Sequence, residues 1–283
     1  MPGNRFANQS PHAALRCAMN LKDKKMKKAV NLYTRLVIIA SGVFAFGVNA
    51  DTGAIPEPVK QLEKQGIEII KPFKTPAGVD GWLGKYQDAG VTIYLTPDKK
   101  HAISGYMYDE KGNNLSEKII NDEIYIPAGR AMWKKLAAAE GITEGSGKAS
   151  CKVVVFADPF CPYCKQFWKA VQPAVQADKI ELKTLLVAVL KPESGRYASA
   201  MLSASDPAKA WHDFEMSNGK ISPTLPQRTP EAASRQIMYN QHLMDTLGAN
   251  GTPAIYYLSK DRRLQQIVGM PDEEMLKNLI ACK

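Results

Sequence analysis

Two cysteines three residues apart, Cys161 and Cys164, with Pro162 and Tyr163 between them, are the residues of this chain best placed to do chemistry. They follow the apolar run Val153-Val154-Val155-Phe156-Ala157 and precede Lys165-Gln166-Phe167-Trp168-Lys169-Ala170-Val171, whose pattern is helical. The order is therefore strand, turn, cysteine pair, helix. A cysteine at the first turn of a helix sits at the positive end of the helix dipole, among N–H groups that lack partners, and this favours its thiolate over its thiol. Cys161 is the candidate nucleophile. Cys164 is near enough to close a disulfide or to resolve a mixed disulfide, and it lies deeper against the helix body, so it is the less reactive partner. Tyr163 is expected to be exposed and able to touch a substrate. Phe167 and Trp168 read as packing residues.

The formal charge of the 283-residue chain is +9. Most of it comes from residues 1–50, which hold eight Lys/Arg against Asp23 alone and leave 29 basic and 27 acidic residues for the remainder. That balance carries no nucleic-acid footprint. Met26-Lys27-Lys28, an apolar core from Leu36 to Val48 and Val48-Asn49-Ala50 read as the n-region, h-region and cleavage site of a signal peptide ending at Ala50. The core is 13 residues long, short of the ~18 that a membrane span needs. The pattern begins at Met26, which suggests a start there; an extended n-region is the alternative. Export to an oxidising compartment lets disulfides persist. The four cysteines left after processing, Cys151, Cys161, Cys164 and Cys282, fit one catalytic and one structural pair. A zinc site made of all four is the competing reading, but its second close pair is missing, and His101, His212 and His242 lack ligand spacing to the C-x-x-C. No metal or cofactor is expected. His212 and His242 read as surface or packing histidines rather than acid/base groups.

Residues 51–116 read as a small α+β unit with a short helix from Pro56 to Gln65 and a strand over 66–71. A hairpin follows, from Val91–Leu95 and His101–Tyr108 around Thr96-Pro97-Asp98-Lys99-Lys100. Residues 117–150 read as a connector: a helical pattern interrupted by Pro127 and Gly129, then a small, polar loop from Gly141 to Ser150. Residues 151–283 open with the strand Lys152–Ala157 and the cysteine helix, and continue with a strand from Ile180 to Leu190. A helical stretch from Tyr197 to Leu247 comes next, with Asp206-Pro207 as a start and Asn218-Gly219 as a stop. Strands over 254–258 and 263–268 and a helix from Pro271 to Ala281 close the chain. Thr252-Pro253, just ahead of a strand, is a candidate cis peptide.

A β-α-β unit with C-x-x-C at its helix start, a helical insertion, X-Pro, two strands and a terminal helix is similar to the thioredoxin layout. Phe156-Ala157-Asp158-Pro159-Phe160-Cys161-Pro162-Tyr163-Cys164-Lys165-Gln166-Phe167-Trp168 and Gly248-Ala249-Asn250-Gly251-Thr252-Pro253-Ala254-Ile255-Tyr256-Tyr257 strongly resemble the DsbC/DsbG family of periplasmic thiol:disulfide interchange proteins. So do Leu83-Gly84-Lys85-Tyr86-Gln87-Asp88 and Pro127-Ala128-Gly129-Arg130. The resemblance implies an α+β chain with a signal peptide over 1–50, a cystatin-like dimerisation domain over 51–116, a linker helix and loop over 117–150, and a thioredoxin-like catalytic domain with a helical insertion over 151–283. It also implies a periplasmic homodimer acting on exported proteins as a disulfide isomerase or reductase, including reduction of sulfenic acids, with chaperone activity. A membrane electron donor of the DsbD type would keep it reduced. Thr252 and Pro253 would face the cysteines and meet the substrate. Cys151 and Cys282 depart from the family pattern. In a thioredoxin-like sheet the active-site strand begins at the edge to which the last helix returns, so a structural disulfide between them is expected, with two free thiols as the alternative. Two other functions compete: a disulfide-introducing oxidase, which needs no dimerisation unit, and a holdase chaperone with incidental cysteines.

Overall fold

The computed structural model describes residues 54–76 and 78–283; the signal-peptide reading of residues 1–50 lies outside the described residues. Helix α1 (Glu57–Lys60) runs into a 3-10 turn (Gln61–Gln65) that Gly66 stops with a left-handed backbone, φ 87°. Four antiparallel strands follow in sheet order: β1 (Ile67–Lys74), β2 (Asp80–Tyr86), β3 (Ala89–Leu95) and β4 (Ala102–Ser104). Side chains of β1 alternate between half-buried and exposed, the pattern of a strand with one face on a core. That core is Val59, Trp82, Ile93 and Leu95. On the other side Leu83 packs with Ile120 and Ile124.

Strand β2 is absent from the sequence reading, because Asp80-Gly81-Trp82-Leu83-Gly84-Lys85-Tyr86 carries two glycines where β-branched residues are expected. Both sit where neighbouring side chains fill the space. A Cβ on Gly81 would lie 2.7 Å from the Phe73 ring, and one on Gly84 would lie 2.8 Å from Ile67 Cγ2. Strand β4 is shorter than the β-rich run His101–Tyr108. After Ser104 the chain leaves the sheet for the next helix: Met107 N–H donates to Ser116 Oγ (2.8 Å) and Leu115 N–H to Met107 O (2.8 Å).

Helix α2 (Leu115–Ile120), capped by the Asn114 side chain, passes through a π turn (Asn121–Tyr125) into α3 (Ile126–Ala138). The expected interruption at Pro127 does not occur. The π turn places Pro127 in the first turn of α3, where its missing N–H breaks no bond. Gly129 brings α3 against the second sheet, since a Cβ there would be 3.0 Å from Leu264 Cβ.

The second sheet has the order β5-β7-β6-β8-β9, with β5 (Ile142–Glu144), β6 (Cys151–Ala157), β7 (Ile180–Leu186), β8 (Ala254–Leu258) and β9 (Leu264–Val268). Only the β6–β7 pair is parallel. Strand β5 falls in the segment read as a loop. It is three residues between Gly141 and Gly145, too short to show a period, yet it pairs with Leu182–Thr184. Helix α4 (Pro162–Gln176) joins β6 to β7. Helices α5 (Ser194–Leu202), α6 (Pro207–Met216) and α7 (Glu231–Thr246) form the insertion before β8, and α8 (Glu273–Ile280) ends the fold. Asp206 caps α6 by accepting from Lys209 N–H, and Asn218 and Gly219 end it at φ 56° and 80°. The sheet is covered on both faces, by Val153, Phe167, Trp168, Trp211 and Phe214 on one and by Val154, Phe156, Leu243 and Tyr256 on the other. This explains why β6 reads as an unbroken apolar run.

Gly84→Ala is expected to destabilise the protein by about 1–3 kcal/mol through overpacking between β1 and β2. Gly195→Ala on α5 meets only Ala188 Cβ at 3.7 Å; it should be neutral or stabilise by up to about 1 kcal/mol. Urea unfolding of the two variants beside the parent protein checks both.

Candidate active site

The active-site turn is built by the end of β6 and the start of α4. After Ala157, residues Asp158, Pro159 and Phe160 turn the chain so that Cys161 becomes the N-cap of α4, its own N–H donating to Asp158 O at 2.9 Å. Cys164 N–H donates to Cys161 Sγ at 3.0 Å. A sulfur in the N-cap position thus receives a donor that the helix leaves unpaired, an arrangement that stabilises a thiolate there. Cys161 and Cys164 are joined as a disulfide, with 5.2 Å between their Cα atoms. On the opposite side the Thr252 carbonyl oxygen lies 3.3 Å from Cys161 Sγ, and the Thr252–Pro253 peptide is cis. The structure therefore brings Cys161, Cys164, Thr252 and Pro253 together from two distant segments.

Tyr163 is 56% exposed, whereas Cys161 and Cys164 are 3% and 2% exposed. The two residues differ in surroundings, because Cys161 lines an open cavity and Cys164 does not. Away from this site, Cys151 at the start of β6 and Cys282 just past α8 form a second disulfide, Cα–Cα 5.7 Å, both residues buried. Cys151 Sγ lies 3.3 Å from Leu279 O, and Tyr257 Oη donates to Lys283 O at 3.0 Å, so the chain end is fixed to the sheet at several points.

Three buried carboxyls near the turn and its helix were not singled out from the sequence. Asp158 is fully buried and accepts from Phe160 N–H (2.9 Å), Val189 N–H (2.8 Å), Leu190 N–H (3.0 Å) and Ser194 Oγ (2.9 Å). It ties the cysteine turn to the loop after β7. The available signal was an acidic residue set directly between a buried strand and Pro-Phe-Cys. Glu144 on β5 accepts from Trp168 Nε1 (2.8 Å) and Gln172 Nε2 (3.3 Å) of α4, and His212 Nδ1 lies 3.9 Å away. Burial pushes its carboxyl above the usual range, against those hydrogen bonds. Glu215 on α6 is 1% exposed, and one of its oxygens has no hydrogen-bond partner among the described residues. Burial pushes its pKa up to about 7, opposed by the Lys165 charge and reinforced by Glu144. His212 stacks edge-on against Trp168, ring centroids 5.1 Å apart, and is a packing histidine.

Asp158→Ala is expected to cost about 3 kcal/mol or more, because it leaves several buried donors without an acceptor; chemical denaturation with both cysteine pairs oxidised measures it. Glu215 has a folded pKa above its unfolded value near 4.5. Its protonated form therefore belongs to the folded state, and its contribution to stability is complete below the unfolded pKa and lost as pH rises towards about 7. Glu215→Gln should remove that loss. The stability of the parent protein relative to the variant is expected to fall by up to about 3 kcal/mol between acid and neutral pH, and a constant difference across that window would contradict the assignment.

The family described as disulfide bond isomerase protein N-terminal domain matches residues 48–117, and the thioredoxin-like domain family matches residues 137–281. The thiol:disulfide interchange protein DsbG of Escherichia coli is 54% identical over 229 residues, covering 81% of this chain and 92% of that protein. DsbG of Pseudomonas aeruginosa is 34% identical over 254 residues, covering 89% of this chain and 99% of that protein. With an N-terminal isomerase-type domain, a thioredoxin-like domain and a cysteine pair at a helix N-cap, the chain belongs to the DsbC/DsbG family of thiol:disulfide interchange proteins, enzymes of the thiol:disulfide oxidoreductase and isomerase class.

Proposed function

We propose that this protein is a periplasmic, homodimeric disulfide isomerase and reductase that works through Cys161-Pro162-Tyr163-Cys164 on exported proteins. The Cys161 thiolate attacks one sulfur of a substrate disulfide, forming a mixed disulfide and releasing a substrate thiolate. In isomerisation a different cysteine thiolate of the substrate attacks the substrate sulfur of the mixed disulfide, forming a new substrate disulfide and releasing the Cys161 thiolate unchanged. In reduction Cys164 attacks the Cys161 sulfur, frees the reduced substrate and leaves the Cys161–Cys164 disulfide. Two electrons from a membrane donor of the DsbD type then restore the dithiol. A substrate sulfenic acid reacts by the same two steps, its oxygen leaving as water.

The observation that carries this reading is the sulfur of Cys161 at the N-cap of α4, with a backbone N–H at 3.0 Å and the Thr252 carbonyl at 3.3 Å. The first contact favours the thiolate; the second sets a main-chain acceptor beside it, against which the backbone of an extended substrate would lie. Tyr163, Thr252 and Pro253 then form the substrate-contacting rim. Each pKa unit by which the Cys161 thiolate is stabilised favours the reduced form by about 1.4 kcal/mol, or roughly 30 mV. The division into a dimerisation unit over 51–116, a linker over 117–150 and a catalytic unit over 151–283 belongs to the same reading, as does chaperone activity in the cleft between subunits. The N-terminal sheet favours a dimeric isomerase over a monomeric oxidase. Cys151–Cys282 serves as a structural staple.

Cys161→Ser should abolish reshuffling of a scrambled disulfide substrate, whereas Cys164→Ser should accumulate a mixed disulfide visible on non-reducing gels. Undiminished reshuffling by Cys161→Ser would overturn the reading in favour of a holdase. The staple closes a sequence separation of 131 residues; replacing both Cys151 and Cys282 with Ala is expected to cost up to about 5 kcal/mol in urea unfolding while reshuffling persists.

A further inference from the structure

We propose that the cavity beside Cys161 is a substrate subsite that takes an acidic side chain adjacent to the reacting cysteine, an inference that rests on the thiol-exchange reading above. The cavity has a volume of about 440 Å³ and lies between the cysteine turn, α4 and the end of α6. That is within the usual range of sites that enclose a small group. Cys161 thus lines this cavity while its sulfur lies 3.3 Å from the Thr252 carbonyl oxygen, so a chain lying along Thr252 to reach the sulfur would pass beside the cavity.

The lining is matched to one chemistry. Its floor is aromatic: Phe160 meets Tyr197 edge-on with ring centroids 4.9 Å apart, and Tyr197 meets Phe214 at 5.9 Å. Such a surface suits the methylene stem of a side chain. Its charged groups are Lys165 and Lys169, which stand one turn apart on the same face of α4. Lys165 Nζ lies 5.7 Å from the Phe214 ring centroid, and Lys169 Nζ donates to Asn218 Oδ1 at 3.0 Å. Both contacts are with neutral groups, and neither lysine forms an ion pair within 4.0 Å among the described residues. A third ammonium, Lys191, lies 4.6 Å from the Phe160 ring centroid. Among the described residues that line the cavity, none is acidic. Glu215 is the carboxyl that feels both lysines, but it is buried and outside the lining, and it is partly protonated near neutral pH, so it offsets only part of their charge. An apolar floor under two ammonium groups whose charge is only partly offset, in a cavity that Cys161 also lines, fits a Glu or Asp side chain of the substrate.

The test uses the reduced, full-length protein and three end-capped peptide disulfides that differ only in the residues flanking the cysteine: Glu, Gln or Lys. Each rate is divided by that of the same peptide with dithiothreitol, which removes differences in peptide reactivity. At low salt the Glu peptide should react roughly three- to fivefold faster than the Gln peptide, as expected of an exposed ion pair, and the Lys peptide more slowly than either. In the Lys165→Gln, Lys169→Gln double variant the Glu-to-Gln ratio should fall to about one. The ratio is the readout, because loss of the lysines also alters the Cys161 thiolate itself. Equal rates for all three peptides with the parent protein, or a preference that survives in the double variant, would overturn the subsite. If no peptide is reduced faster by the parent protein than by Cys161→Ser, it is the exchange reading that fails.

Discussion

A single sulfur at the N-cap of α4 is the constraint around which the rest of the catalytic fold is arranged. Cys161 can take a backbone N–H from Cys164 only because β6 ends, the chain turns within three residues, and the helix begins at Pro162. Each part has a local cause. The apolar run of β6 is buried on both faces, Pro162 supplies the fixed φ of a first helical residue, and Cys161 takes the extended conformation of an N-cap. The same helix turn that sets a backbone donor on the Cys161 sulfur leaves Cys164 behind it, so the two cysteines differ in surroundings although they share a motif.

Holding that turn against the sheet falls to groups distant in sequence. Asp158 accepts four hydrogen bonds, forms no ion pair among the described residues, and links the turn to Val189, Leu190 and Ser194. Glu144 reaches from the edge strand to Trp168 and Gln172 on the far side of α4. The helix is thereby anchored along its body by the Glu144 carboxyl, while Asp158 holds the turn that precedes it. The Glu215 carboxyl, with an unpartnered oxygen, adds a destabilising element that grows as pH rises. Cys151–Cys282 clamps β6 at the end opposite the active site.

Features written in short segments were legible in the sequence. The cysteine pair, the strand before it, the Asp206 cap of α6, the Asn218-Gly219 stop and the X-Pro step ahead of β8 each announce themselves within a few residues. Features decided by distant neighbours were not. Strand β2 hides behind Gly81 and Gly84, whose reason is the bulk of Phe73 and Ile67 on the adjacent strand. Strand β5 is too short for a period and exists through its pairing with β7. Pro127 reads as a break, yet a π turn in the preceding residues absorbs it. Asp158 gains its meaning from donors 31 to 36 residues away, which no local pattern encodes.

The most direct measurement is the pH dependence of alkylation of the reduced protein, with the modified cysteine identified by peptide mapping. Cys161 is expected to react first, with an apparent pKa well below the free-cysteine value near 8.5. Preferential reaction at Cys164, or a Cys161 pKa at or above that of a free thiol, would contradict the account.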